Sequence, residues 1–161
     1  MSDAAGIEAP SGKRAAGENF PVGSLLLPAR LRPHVAAFYA FARAADDIAD
    51  DPDLAPGEKL ARLERLAAAL RGEDDDPALA VAHRLRRSLE QTGVTARHAL
   101  ELLEAFRQDA RMYRYADWDA LMEYCGRSAA PVGRYLLDLH GEARARRPAA
   151  DALCCALQVL N

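Results

Sequence analysis

Apolar side chains return every third and fourth residue through one segment after another, and that spacing limits the possible folds more than any other feature. Val35, Phe38, Tyr39 and Ala42 form one such stripe. Leu60, Leu63, Ala67 and Leu70 form a second, and Ala99, Leu102, Leu103, Phe106, Ala110 and Tyr113 a third. Each places its apolar residues on one face of a helix. Ala, Leu and Arg dominate, whereas the β-branched Val, Ile and Thr are scarce, a mix that favours helix and gives sheets little to build on. A chain of 161 residues is long enough for one domain with a real core. The expectation is an all-α protein.

The helix boundaries can be read from prolines, glycines and caps. Pro33 suits a first turn, and the helix it opens carries an acidic cluster at its C-terminal end, before Asp51-Pro52 stops it. A second helix is expected over Pro56–Arg71. A third is signalled by Asp76-Pro77 and ends near Gly93. Thr95 is the expected cap of a fourth. Asp117 or Asp119 opens a fifth, which Pro131 must kink or interrupt and Gly141 ends. A sixth starts near Pro148 and carries Leu153, Leu157 and Leu160. Its apolar pattern is still running at Asn161, so the chain is expected to end inside a helix, as a fragment would. Residues 1–17 read as a disordered leader, Glu18–Pro28 as an ordered arm, and 18–161 as one domain.

Several function classes lose support. The net charge of −3 provides no basic field for nucleic acid. Three cysteines, two of them adjacent (Cys125, Cys154, Cys155), make a poor disulfide framework and fit a reducing, cytoplasmic setting. No secretory h-region and no run of about 18 apolar residues is present, although an apolar substrate could draw the protein to a membrane surface. His34, His83, His98 and His140 show no ligand spacing, and neither HExxH nor ExxH occurs. Cys154-Cys155 reads as core.

The strongest chemical signal is Asp46-Asp47-Ile48-Ala49-Asp50-Asp51. Asp46 and Asp50 are i,i+4, as are Asp47 and Asp51, so each pair shares a helix face. Like charges at that spacing destabilise a helix, and the C-terminal end of a helix disfavours anions further. Arg43, three residues before Asp46, offsets part of this, but one guanidinium cannot balance four carboxylates. Mg²⁺ can supply the rest, because it takes oxygen ligands and is held by one or two carboxylates together with substrate phosphates. The competing reading is a solvated acidic helix end. The apolar run upstream favours the first reading, with the Asp46/Asp50 face at the mouth of an apolar cavity.

Other polar residues fall on apolar faces. Asp109 shares a stripe with Leu102 and Phe106, so it is either paired with an arginine or faces a substrate cavity. Gln158 and Asn161 are i,i+3, either an exposed polar edge or neutral ligands for a diphosphate and its metal. Tyr39 and Tyr124 are core aromatics, or part of a wall whose π faces stabilise a carbocation.

The segment Tyr39-Ala40-Phe41-Ala42-Arg43-Ala44-Ala45-Asp46-Asp47-Ile48-Ala49-Asp50 resembles the first aspartate-rich motif of the squalene/phytoene synthase family, Tyr-x-x-x-Arg-x-x-Asp-Asp-x-x-Asp. Leu121–Cys125 and Ala129–Gly133 resemble the family's Leu-x-x-Tyr-Cys…Val-Ala-Gly-x-Val-Gly region. Gln158-Val159-Leu160-Asn161 matches its Gln-x-x-Asn. Several motifs in the right order, spread over 18–161, are far more specific than any one alone. Within the family, Glu18-Asn19-Phe20-Pro21-Val22 and Ala129-Ala130-Pro131-Val132-Gly133 look most like the hydroxysqualene synthases of hopanoid biosynthesis.

The resemblance implies an isoprenoid synthase helical bundle and Mg²⁺-dependent conversion of presqualene diphosphate to hydroxysqualene. It implies that Asp46 and Asp50 hold the metal, with Asn161 facing the metal or the diphosphate alongside Gln158. By the same resemblance Arg43, Tyr39 and Asn19 contact the diphosphate end, and Asp109 and Tyr124 line the cavity. The family's second aspartate-rich motif is expected shortly after Asn161. These 161 residues do not include it, and by themselves they are expected to be inactive. Two alternatives stay open: a presqualene diphosphate or phytoene synthase condensing two prenyl diphosphates, and a non-catalytic helical interaction module.

Overall fold

A computed structural model describes residues 27–111 and 114–160, and every regular element among them is helical. The expected leader, most of the expected arm with Asn19, the stripe residue Tyr113, and Asn161 lie outside the described residues. Seven α-helices follow one another: α1 (Arg32–Asp50), α2 (Pro56–Arg71), α3 (Ala80–Thr92), α4 (Arg97–Asp109), α5 (Trp118–Ser128), α6 (Ala130–Leu139) and α7 (Arg147–Leu160). Single 3₁₀ turns lead into α3 and α7.

The local causes are mostly those expected. Pro33 and Pro56 sit in the first turns of α1 and α2. Asp76 Oδ1 accepts from the Ala78 N–H at 2.9 Å before α3, and Asp117, not Asp119, caps α5 by accepting from Ala120 N–H at 2.8 Å. Two expectations need correction, and a third resolves to one of its alternatives, interruption at Pro131. The cap position of α4 is held by Ala96, while Thr95 lies one residue earlier and accepts from Arg97 N–H at 3.2 Å. The same helix stops at Asp109, short of the stripe's last positions. The expected fifth helix is two, because the chain turns at Ala129 and Pro131 falls in the first turn of α6, where its missing N–H costs nothing.

α1 runs through the centre, packed by α2, α3 and α4. Its Phe41 and Ala45 are fully buried, among Leu63, Leu66, Leu85 and Leu103 from the surrounding helices. Each such large side chain contributes about 1.5–3 kcal/mol through burial. Tyr135 carries a matched polar group into this core. The ring of Tyr135 stacks on Phe38 with centroids 4.0 Å apart, and its hydroxyl donates to the His34 carbonyl at 2.9 Å.

α6 and α7 pack closely because Gly133 has no side chain. A Cβ there would lie 2.7 Å from Cys154 Sγ and 3.6 Å from Ala150 Cβ. Gly133→Ala is therefore expected to cost about 1 kcal/mol in denaturant unfolding, and adding Cys154→Ala should recover most of it. An unrecovered double variant would place the strain elsewhere. Cys154 and Cys155 are half-buried rather than core. The apolar stripe of α7 faces outward, with Leu153 61% and Leu160 81% exposed.

Candidate functional site

The predicted site residues form two groups, Arg43 with Asp46, Asp47 and Asp50 at the C-terminal end of α1, and Asp109 with Tyr124 between α4 and α5. On α1, Arg43 lies one turn after half-buried Tyr39 and reaches forward. Its Nη1 donates to Asp46 Oδ2 at 2.7 Å and its Nη2 to Asp47 Oδ1 at 3.2 Å. The guanidinium and both carboxylates are only partly exposed, which strengthens the charge-assisted bonds. Asp50, one turn beyond Asp46, is exposed.

A second cluster, of tyrosines and a carboxylate, joins α4 to α5. Asp109, the last residue of α4, accepts from the Tyr124 hydroxyl of α5 at 2.7 Å. Of the two readings of Asp109, the salt bridge to arginine gives way to this neutral donor. Tyr115, in the connection before α5, leans on Tyr124 with ring centroids 4.9 Å apart and planes at 42°. Leu121, Met122 and Cys155 pack around Tyr124 and Cys125. Burial pushes the Asp109 carboxyl above its ordinary value of 3.8, and the negative charge of Asp50 adds to that against the opposing Tyr124 hydrogen bond. Burial, followed by the bond to Asp109, raises the Tyr124 hydroxyl far above the usual phenol range, so it stays a donor. Tyr124→Phe removes the donor and leaves a half-buried carboxyl underpaired. A loss of about 1.5 kcal/mol in urea unfolding is expected, and an unchanged midpoint would show that water replaces the hydroxyl.

The donor set suits a hard cation. Asp46 and Asp50 offer carboxylate oxygens from one helix face. The negative charge of Asp50 is felt at Asp109 on the neighbouring helix. Among the described residues no three His, Cys, Asp or Glu side chains gather into a cage. Two carboxylates that share a metal with a phosphate ligand match the habit of Mg²⁺, which rarely uses an all-protein cage. Gln158 stands exposed near the end of α7.

Two participants escaped the sequence reading. Tyr115 lies outside any periodic stripe and carries no signal. Lys59 does carry one: with Leu63, Leu66 and Leu70 it falls on the buried face of α2, where a lysine needs a partner. Its Nζ donates to the Ala49 carbonyl at 2.7 Å, beside the acidic cluster. A surface hollow of about 340 Å³ lined by Leu70, Arg86, Leu89 and Val94 lies between α2 and α3 and shares no residue with this site.

Comparison with known proteins gives the family. The chain is 51% identical over 144 residues to a hydroxysqualene synthase of Sinorhizobium fredii, covering 89% of this chain and 49% of that protein. It is 50% identical over 153 residues to a hydroxysqualene synthase of Zymomonas mobilis, covering 94% and 51%. The chain thus spans about half the length of the curated relatives it matches. The crystal structure of squalene synthase HpnC from Alicyclobacillus acidocaldarius superposes with a TM-score of 0.72 at 38% identity, covering 88% of this chain and 53% of that one. The squalene/phytoene synthase family model matches residues 13–161. With the aspartate-rich end of α1 and the Tyr124-Cys125 segment of α5 both inside that match, the chain belongs to the squalene/phytoene synthase family.

Proposed function

We propose that the protein takes part in the conversion of presqualene diphosphate and water to hydroxysqualene and diphosphate. The observation that carries this reading is Arg43 held between Asp46 and Asp47 beside an exposed Asp50, whose charge is felt at the Asp109 carboxyl that Tyr124 holds. Half-identical relatives named hydroxysqualene synthase support the choice of substrate.

In this reading Asp46 and Asp50 hold Mg²⁺, with Asn161 as a further candidate ligand. When bound, the metal would neutralise the charge developing on the leaving diphosphate. Arg43 supplies a fixed positive charge and donors for the diphosphate oxygens. Tyr39, Asn19 and Gln158 are the further candidates for that end of the substrate. The tyrosine faces present π density to an apolar cation. The C–O bond to diphosphate breaks, water adds to the rearranged cation, and the added water loses a proton. In the same reading Asp109, held by Tyr124, lines the space where this happens. The protein is proposed to meet its apolar substrate and product at a membrane surface. No helix among the described residues is long and apolar enough to cross a membrane. These 161 residues by themselves, with Asp50 exposed, are proposed not to turn substrate over.

The test offers presqualene, farnesyl and geranylgeranyl diphosphate separately, with Mg²⁺, to the protein as the cell makes it. Diphosphate release from presqualene diphosphate, with hydroxysqualene as product, is expected. Consumption of farnesyl or geranylgeranyl diphosphate alone would replace this reading with a condensing enzyme, and no release from any of the three would leave an interaction module.

A further inference from the structure

The helix that carries the acidic cluster ends differently from its neighbours. A helix leaves its last four carbonyls without internal donors. α2 and α3 solve this with glycines in the left-handed region, Gly72 (φ 83) and Gly93 (φ 70), whose N–H groups turn back onto the final turn. α1 cannot do so. Its cap residue Asp51 is extended, at φ −60 and ψ 115. The next residue is Pro52, which has no N–H to return. The N–H after that, on Asp53, is taken by Asp51 Oδ1 at 2.9 Å. Nor does α1 have a basic residue in its own last turn.

The donor comes from the neighbouring helix. Lys59 of α2 places its Nζ 2.7 Å from the Ala49 carbonyl, in the peptide that joins Ala49 to Asp50. Lys59 is only 5% exposed. A buried ammonium persists only where something negative meets it, and here it meets the negative end of the α1 dipole. The bond clamps the last turn of α1 onto α2, and that turn carries Asp50 and follows directly on Asp46 and Asp47.

We propose that Lys59 is a positioning residue for the Asp46 and Asp50 carboxylates, holding the last turn of α1 so that both are presented from one rigid helix face. This rests on the reading above in which those two carboxylates bind Mg²⁺. Two effects of Lys59 on that binding oppose each other. Its charge repels a cation, so on Coulomb grounds alone its removal would tighten metal binding. Its hydrogen bond orders the ligands, so on geometric grounds its removal weakens binding. Geometry wins because Mg²⁺ tolerates little distortion, and groups that orient metal ligands are commonly worth about 10–100-fold in affinity.

The experiment compares the parent chain with Lys59→Met, Lys59→Gln and Lys59→Arg. It reads amide hydrogen exchange over residues 47–53 and calorimetric binding of inorganic diphosphate with Mg²⁺. In Lys59→Met, exchange over 47–53 should quicken about tenfold while the amides of α4 and α6 are unchanged, and diphosphate affinity should fall about tenfold. Lys59→Arg should restore most of both. Lys59→Gln keeps a donor and gives a smaller loss of the same sign, which decides the matter if the methionine variant does not fold. Unchanged exchange, or unchanged or tighter binding in a variant of a parent that does bind, overturns the inference and leaves the metal site standing. A parent that binds no diphosphate with Mg²⁺ removes the functional reading, and the positioning role with it.

Discussion

Replacing Asp46 and Asp50 together by asparagine is expected to lower Mg²⁺-dependent diphosphate affinity by at least about a hundredfold, because both direct ligands lose their charge. Stability should move the other way. The two carboxylates are like charges one turn apart at the electronegative end of α1, where each unfavourable contact costs a few tenths of a kcal/mol. Asparagine keeps the shape and an acceptor for Arg43, whose Nη1 donates to Asp46 at 2.7 Å, but that bond is no longer charge-assisted, which offsets part of the gain. A gain of about 0.5 kcal/mol in urea unfolding, or no change, is expected. The opposite signs make the test sharp, since a variant that merely misfolds loses both binding and stability. Undiminished diphosphate binding in the double variant would show that the acidic end is a solvated helix terminus, and the interaction-module reading would gain.

How much of this was legible depended on whether the physics was local. Helix starts and stops follow from prolines and glycines acting within a few residues, so α2 was bounded correctly from sequence at both ends. The pairing of Arg43 with Asp46 and Asp47 follows from i,i+3 and i,i+4 spacing on one helix. The partner of Asp109 was not legible, because Tyr124 is fifteen residues away on another helix and only tertiary packing selects it over an arginine. The outward-facing stripe of α7 was hidden for the same reason. Periodicity shows that Leu153, Leu157 and Leu160 share a face, but not what that face meets. Lys59 lies between these cases: its place on a buried stripe was visible, while its partner on α1 was not.

Asp138→Ala is expected to produce the largest loss of stability, about 3 kcal/mol. Asp138 on α6 accepts from His98 Nε2 of α4 at 2.7 Å. From α7, Arg147 Nη2 donates to both its oxygens, at 2.8 and 3.0 Å. One carboxylate thus joins three helices. His98 is 2% exposed, and among the described residues its Nδ1 has no partner, so the Nε2 bond is the only contact among them that satisfies the ring. Alanine would strand the imidazole and the guanidinium together, and removing one member of a buried charged set costs about 3–5 kcal/mol. The lower end applies because Asp138 and Arg147 retain some solvent contact. Burial by itself would raise the Asp138 carboxyl, but the bonds from His98 and Arg147 outweigh it and hold the group below its ordinary 3.8. A carboxyl depressed in the folded state contributes its full stability above the unfolded value, and that contribution disappears as pH falls through the lower folded value. The stability gap between parent and Asp138→Ala should therefore be widest near neutral pH and close as pH falls below the ordinary carboxyl value and through the lower folded one. Asp138→Asn, which retains an acceptor, should lose less than alanine and flatten the same acid limb. A gap that stayed constant across that range would assign the cost to lost packing between α4, α6 and α7 and leave the carboxylate charge with no part in holding them together.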